Sequence, residues 1–85
     1  MYLPMKRNED EKEALKQIIN RIIELKDDNN QTSYKLSYAS GISSSLLYKI
    51  ESSKIEPKIL TLLKILNGLN ISASDFFKDI DYSNI

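Results

Sequence analysis

The chain contains no cysteine and no histidine. Without cysteine it can form neither a disulfide nor a thiolate metal site. Without histidine it lacks the commonest general base, the commonest zinc ligand and the usual pH switch. Glycine occurs only twice, and no stretch reads as a phosphate-cradling loop. No nucleophile–base pair is available, so no catalytic residue and no cofactor is assigned, and an enzyme is the least favoured class. No apolar run approaches the roughly 20 residues needed to span a bilayer. The opening, MYLPMKRNEDE, has no apolar signal-peptide core. The expectation is a cytoplasmic protein with no membrane contact. Charge of one sign is lacking too: twelve basic and twelve acidic residues cancel. That balance argues against indiscriminate binding to nucleic acid.

What remains is one small domain of 85 residues, near the lower end for unaided folding. Its charge is uneven along the chain. Between Gln31 and Lys58 lie Lys35, Lys49, Lys54 and Lys58 against Glu51 and Glu56. The residues before and after each come out one negative, so the middle carries the basic excess.

Residues 1–8 read as a loose arm, because Pro4 disfavours helix just before it and nothing apolar repeats. From about Glu9 the spacing becomes helical. Leu15, Ile18, Ile19, Ile22, Ile23 and Leu25 form one broad face. Glu9, Asp10, Glu11 and Glu13 crowd its start, where the helix dipole favours negative charge. Asp27-Asp28-Asn29-Asn30 ends it, with Asn30 suited to a left-handed cap. A second helix is expected over about Ser33–Ser40 with Thr32 as N-cap, and a third over about Ser44–Ser52 with Ser43 as N-cap. Their apolar set is Leu36, Ala39, Ile42, Leu47 and Ile50. Pro57 fits the opening of a fourth helix reaching about Asn67, with Ile59, Leu62, Leu63, Leu66 and Leu69 facing inward. Gly68 and Asn70 mark its end. Ser72 starts a short fifth helix carrying Phe76 and Phe77. No strand alternation is seen. The domain is expected to span 9–80, leaving 81–85 as a tail.

The organising stretch is Thr32 to Pro57, TSYKLSYASGISSSLLYKIESSKIEP. Two short helices flank a turn in which Gly41 can adopt a left-handed backbone and Ser43 restarts the helix. This is the pattern of a helix-turn-helix, here over about 32–52. The run L-S-x-x-S-G-I-S-x-S-x-L-x-x-I-E, Leu36 to Glu51, resembles the Cro/C1-type (xenobiotic-response-element-like) helix-turn-helix regulators. The resemblance continues through Lys54, Pro57 and the stretch Leu62 to Phe77, and covers roughly residues 20 to 80. It implies an all-α, five-helix, lambda-repressor-like DNA-binding domain. It also implies a regulator of transcription, a repressor above all, acting as a homodimer on double-stranded DNA. An alternative is a protein-interaction module of the same fold, such as an antitoxin or a modulator of another regulator. The zero net charge and a serine-rich reading helix favour that alternative.

On the DNA reading the third helix enters the major groove. Its expected base contacts are Ser44, Ser45, Tyr48 and Lys49, with Leu46 at the margin. Lys49 can donate to guanine O6 or N7, whereas serine fits several bases. Expected phosphate contacts are Thr32, Ser33, Lys35, Ser43, Lys54 and Lys58, the first two through free N–H groups at a helix head. Where Ser33 stands the family commonly has glutamine, and where the reading helix stands it often has glutamines or arginines. Ser53 occupies a position usually held by glycine, and Ser37 one usually held by alanine. Lys26 and Glu51 match an arginine–glutamate pair that ties helix one to helix three. As a partly exposed pair here it is expected to contribute about 1 kcal/mol or less. Tyr34, Tyr38 and Tyr48 are read as rim packing rather than as a stacking platform. Asp75, Asp79 and Asp81 lack the loop glycines of a cation site and are read as surface, so no metal is expected. The row Leu15, Ile19, Ile23 exceeds what one buried stripe needs. A cover is expected from Phe77, Ile80 or Ile85, or from a partner subunit.

Overall fold

A computed structural model describes residues 7–78 and Ile80. Most of the N-terminal arm, and Asp79, Asp81, Ile85 and the rest of the tail, lie outside the described residues. Five helices follow in order: α1 Arg7–Asp28, α2 Ser33–Ser40, α3 Ser44–Glu51, α4 Ile59–Gly68 and α5 Ala73–Lys78. The described residues hold no strand.

The helices start and stop by local chemistry. Thr32, Ser43 and Ser72 each cap the following helix, accepting the N–H of Lys35 (3.1 Å), Leu46 (3.0 Å) and Asp75 (3.1 Å). Four helices end with one residue in the left-handed region: Asn30 (φ 56°), Gly41 (72°), Ser53 (63°) and Asn70 (60°). At each end the same two hydrogen bonds close the last turn. After α1 they run from Gln31 N–H to Lys26 O and from Asn30 N–H to Asp27 O; after α3, from Lys54 N–H to Lys49 O and from Ser53 N–H to Ile50 O. These are Schellman closures, which satisfy carbonyls that a helix terminus leaves open. Only one of the four closing residues is glycine.

Pro57 does not open α4. It stands one residue ahead of the cap position, Lys58, whose backbone is extended (φ −67°, ψ 159°), and the helix begins at Ile59. Gly68 likewise does not end α4 by a left-handed turn, a task that falls to Asn70. Gly68 instead lets α4 approach α2: a Cβ built there would lie 2.3 Å from Ser40 Oγ, 3.0 Å from Ser40 N and 3.2 Å from Leu36 Cδ1.

The core joins all five helices. Its buried members are Ile19, Ile22, Leu36, Leu47, Ile50, Leu62, Ile65, Leu66, Leu69 and Phe76. α2 packs most extensively on α4 and next on α3, so the second helix is wedged between the third and the fourth. Phe76 is fully buried and meets Phe77 edge-on, with ring centroids 5.0 Å apart. On α1, Ile19 is 3% exposed, and Leu15, Ile18 and Ile23 are partly buried against the core; Phe77 and Ile80 of the C-terminal segment are partly buried against it too. Neither Ile19 nor Ile23 therefore stands bare to solvent.

Three inward assignments are corrected. Ile59 and Leu63 are 65% and 42% exposed, whereas Ile65, absent from the expected set, is fully buried. The run ILTLLKIL is apolar on two sides, so Leu62 and Leu66 fit either of two helical ladders, and only contact with α2 selects the one through Ile65 and Leu69. Ala39 is exposed. Ser37 and Ser40 of α2 are buried instead, and at Ser40 the close approach of Gly68 on α4 leaves room only for a small side chain.

Candidate nucleic-acid interface

α2, the turn through Gly41 and α3 present one polar surface, and its rigidity comes from beneath. Leu47 and Ile50 are fully buried, which pins the inner face of α3. Burial of side chains of this size contributes about 1.5–3 kcal/mol each. The outer face then has no freedom of orientation. Ser44, Ser45, Tyr48 and Lys49 follow the i, i+1, i+4, i+5 spacing of one helix side, and all four are exposed. Leu46 is partly buried at the edge of this face.

Tyr48 is 61% exposed, and the Lys54 ammonium lies 5.4 Å from its ring centroid. This is cation–π range. The contact holds a positive charge beside the exposed face of α3, although Lys54 belongs to the loop after the helix. Lys58, at the cap of α4, and Lys35, on α2, are exposed as well. Thr32 and Ser43 are exposed, but their hydroxyls already serve as caps.

Ser33 sits differently. Its hydroxyl donates to Glu51 Oε1 at 2.7 Å and accepts from Lys26 Nζ at 2.9 Å. Lys26 in turn meets Glu51 Oε2 at 2.8 Å. The three side chains close a triangle linking the last turn of α1, the first residue of α2 and the last residue of α3. What Ser33 can still offer an anion is its backbone N–H at the head of α2. The Lys26–Glu51 pair is also deeper than its sequence position suggests, with side chains only 14% and 12% exposed. An ion pair so enclosed is screened less than a surface pair and is costlier to break on one side. Lysine supplies a single point charge here, and the Ser33 hydroxyl takes the second carboxylate oxygen that a guanidinium fork would otherwise occupy.

This triangle changes the charge of the surface. Glu51 is neutralised inside the fold. The exposed charges between Gln31 and Lys58 are then Lys35, Lys49, Lys54 and Lys58 against Glu56 alone.

A family model for the helix-turn-helix, that of the Cro/C1-type (XRE) regulators, matches residues 31–76, more than half of the chain. The chain belongs to the Cro/C1-type helix-turn-helix family. The all-helical, five-helix architecture agrees with the lambda-repressor-like fold of that family. Its domain is a DNA-binding regulatory one and not an enzyme family, so this helix-turn-helix protein is a DNA-binding regulator. No curated protein matches the chain. No helix among the described residues is long and apolar enough to cross a membrane. They contain no group of three acidic side chains placed to hold a metal ion. Of the three aspartates considered for a cation, only Asp75 is among them, and it lies 3.7 Å from the Lys78 ammonium.

Two features of this helix-turn-helix were not legible beforehand. One is the inward turn of the Ser33 hydroxyl, whose signal was the convergence of Lys26 and Glu51 on the head of α2. The other is the exposure of Tyr34 and Tyr38, at 71% and 83%. Neither packs at a rim. They stand one turn apart, beside Lys35, on the side of α2 away from Leu36, Ser37 and Ser40. That one-turn spacing was the available sign.

Proposed function

We propose that this regulator is a sequence-specific repressor that reads the major groove with the outer face of α3. It binds as a homodimer to an operator of two half-sites, in the cytoplasm, where the DNA is. The observation that carries the proposal is the exposed face Ser44, Ser45, Tyr48, Lys49, held rigid by Leu47 and Ile50 and flanked by Lys54. Lys49 is the base reader with the longest reach, a donor to guanine O6 or N7. Tyr48 offers a hydroxyl and a flat apolar body. The serines discriminate weakly, so DNA shape carries part of the selectivity. Lys54, Lys58 and Lys35 hold phosphates, joined by N–H groups at the capped heads of α2 and α3, near Thr32, Ser33 and Ser43. Repression follows simply from occupancy: a bound dimer obstructs whatever must use the same duplex.

The test is selection of bound sites from random DNA, followed by titration of the selected operator and a scrambled duplex at several salt concentrations. The operator should bind more tightly at every salt, and its half-site centres should lie about 34 Å apart or a multiple of that. Binding to neither duplex at about 50 mM salt rejects the proposal, because phosphate contacts are strongest there.

The second reading, a protein-interaction module of the antitoxin or modulator kind, draws on the exposed tyrosines of α2. Tyrosine is enriched at protein interfaces, and Tyr34 and Tyr38 present large rings with no charge of their own. Failure of both titrations, with the fold intact, moves the function to this reading.

A further inference from the structure

The first half of α1 runs beside the segment that joins α3 to α4, and a groove of about 460 Å³ lies between them. Its apolar lining is Ala14, Leu15 and Ile18 of α1 with Pro57 and Leu62. Glu11 stands one turn before both Ala14 and Leu15, and Ile18 one turn after both, so a single side of α1 supplies that wall. On the other wall, Pro57 disfavours helix at the residue before it, which keeps Glu56 out of α4 and against α1. Ala14, Leu15, Ile18 and Pro57 are only half-buried, so the groove leaves apolar surface open. Its volume falls within the ~300–1,000 Å³ of small-molecule sites.

The charges of the groove indicate its occupant. Glu11 from α1 and Glu56 from the loop both line it, and both are exposed. They also border one smaller recess with Lys12 and Leu15, so the two carboxylates face a common gap. Neither forms an ion pair among the described residues, and Lys12 pairs with neither. DNA does not account for this place, because two carboxylates repel phosphates. An apolar anion is disfavoured on the same ground. We propose that the groove binds a small organic cation, a protonated amine carried on an apolar body. The apolar body lies on Leu15, Ile18, Pro57 and Leu62, and the ammonium sits between Glu11 and Glu56. Ala14 keeps the groove open, because a longer side chain at that position would fill it.

Occupancy has a consequence for DNA, and here the inference rests on the repressor reading. Glu56 is the one exposed acid among Lys35, Lys49, Lys54 and Lys58. It stands two residues from Lys54 on one side and two from Lys58 on the other. A cation held against it cancels that opposing charge and raises the positive potential that phosphates meet, an effect that salt screens. The ligand therefore acts as a co-repressor. By linkage, DNA raises the affinity for the amine by the same factor.

The chain has no tryptophan, so an indole-bearing amine reports its own binding. The experiment follows the fluorescence anisotropy of tryptamine titrated with the 85-residue chain, without DNA. Binding should saturate with a dissociation constant below about 1 mM. Indole-3-acetate, the same ring bearing a carboxylate, should bind at least about tenfold more weakly, and methylamine, a charge without an apolar body, should not displace tryptamine at equal concentration. Glu11→Gln and Glu56→Gln should each weaken binding about threefold or more. Ala14→Leu should abolish it, with circular dichroism checking that each variant keeps its helices. No saturation by about 5 mM, indole-3-acetate binding as tightly as tryptamine, or wild-type affinity in the Glu11→Gln, Glu56→Gln double variant or in Ala14→Leu would each overturn the proposal. A DNA titration tests the coupling. At about 50 mM salt, saturating tryptamine should tighten operator binding about twofold to fivefold in the wild type and leave Ala14→Leu unaffected, and the gain should fade at about 300 mM. An unchanged or weakened operator affinity overturns the co-repressor role. If tryptamine binds as described to a chain that binds no DNA, the repressor reading falls and the amine site stands.

Discussion

Replacing Lys26 by methionine keeps most of the side-chain volume but leaves Glu51 as a buried charge with one remaining donor. Breaking a buried ion pair on one side costs about 3–5 kcal/mol in a fully dry interior. Here Glu51 retains 12% exposure and the Ser33 hydroxyl at 2.7 Å, so part of that charge stays solvated. We expect a loss of about 2–3 kcal/mol. That is a large share of the roughly 5–10 kcal/mol available to a domain of this size. Urea unfolding followed at 222 nm reads it directly. With a slope near 1 kcal/mol/M, the midpoint should fall by about 2–3 M at unchanged slope. Adding Glu51→Leu to Lys26→Met should recover much of the loss, because a neutral apolar pair carries no desolvation penalty, and the double-mutant cycle should show coupling above about 1 kcal/mol. Since the triangle spans α1, α2 and α3, Lys26→Met should also weaken operator binding more than binding to scrambled DNA. The reasoning fails if Lys26→Met costs under about 0.5 kcal/mol, or if 1 M salt abolishes the difference, since that is how a screened surface pair behaves.

Gly68→Ala should destabilise by about 1–3 kcal/mol, although alanine is the better helix former, because Ser40 N at 3.0 Å is backbone and cannot step aside; a thermal melt that rises would contradict the close packing of α2 on α4. Ser53→Gly should stabilise by about 0.5–1 kcal/mol, because φ at Ser53 is 63° and glycine adopts that region without a Cβ clash; an unchanged or lowered urea midpoint would count against strain there. Lys49→Ala should lower operator affinity by about 1–3 kcal/mol and relax the preference at one position of each half-site, measured by titration against single-base variants. Lys54→Ala should weaken all duplexes alike and reduce the log–log salt slope by about 0.9 for each lost phosphate contact; a uniform loss for both lysine variants would remove Lys49 from base reading.

Much of this regulator was legible in the sequence because its signals are local. Thr32, Ser43 and Ser72 are capping residues whose partners lie three positions on, so α2, α3 and α5 could be placed without knowing the fold. Asn30 and Gly41 are left-handed formers next to polar or small residues, and both stop a helix. The inner face of α3, Leu47 and Ile50, followed from periodicity, and its opposite side, Ser44, Ser45, Tyr48 and Lys49, followed from that by elimination. Other features depended on which surfaces meet. In α4 the apolar residues outnumber what one face requires, so only the wedge of α2 decided that Ile65 points inward while Ile59 and Leu63 face water. Gly68 resembles a helix stop in the sequence, and only the approach of Ser40 shows it to be a packing residue. Ser33 resembles a phosphate ligand at a helix head. Its hydroxyl turns inward because Lys26 and Glu51, seven and eighteen residues away along the chain, arrive at the same point in space. Capping and periodicity act over a few residues and can be read in one dimension. The choice between two apolar faces, or between water and a buried charge for one hydroxyl, is made by neighbours distant in sequence.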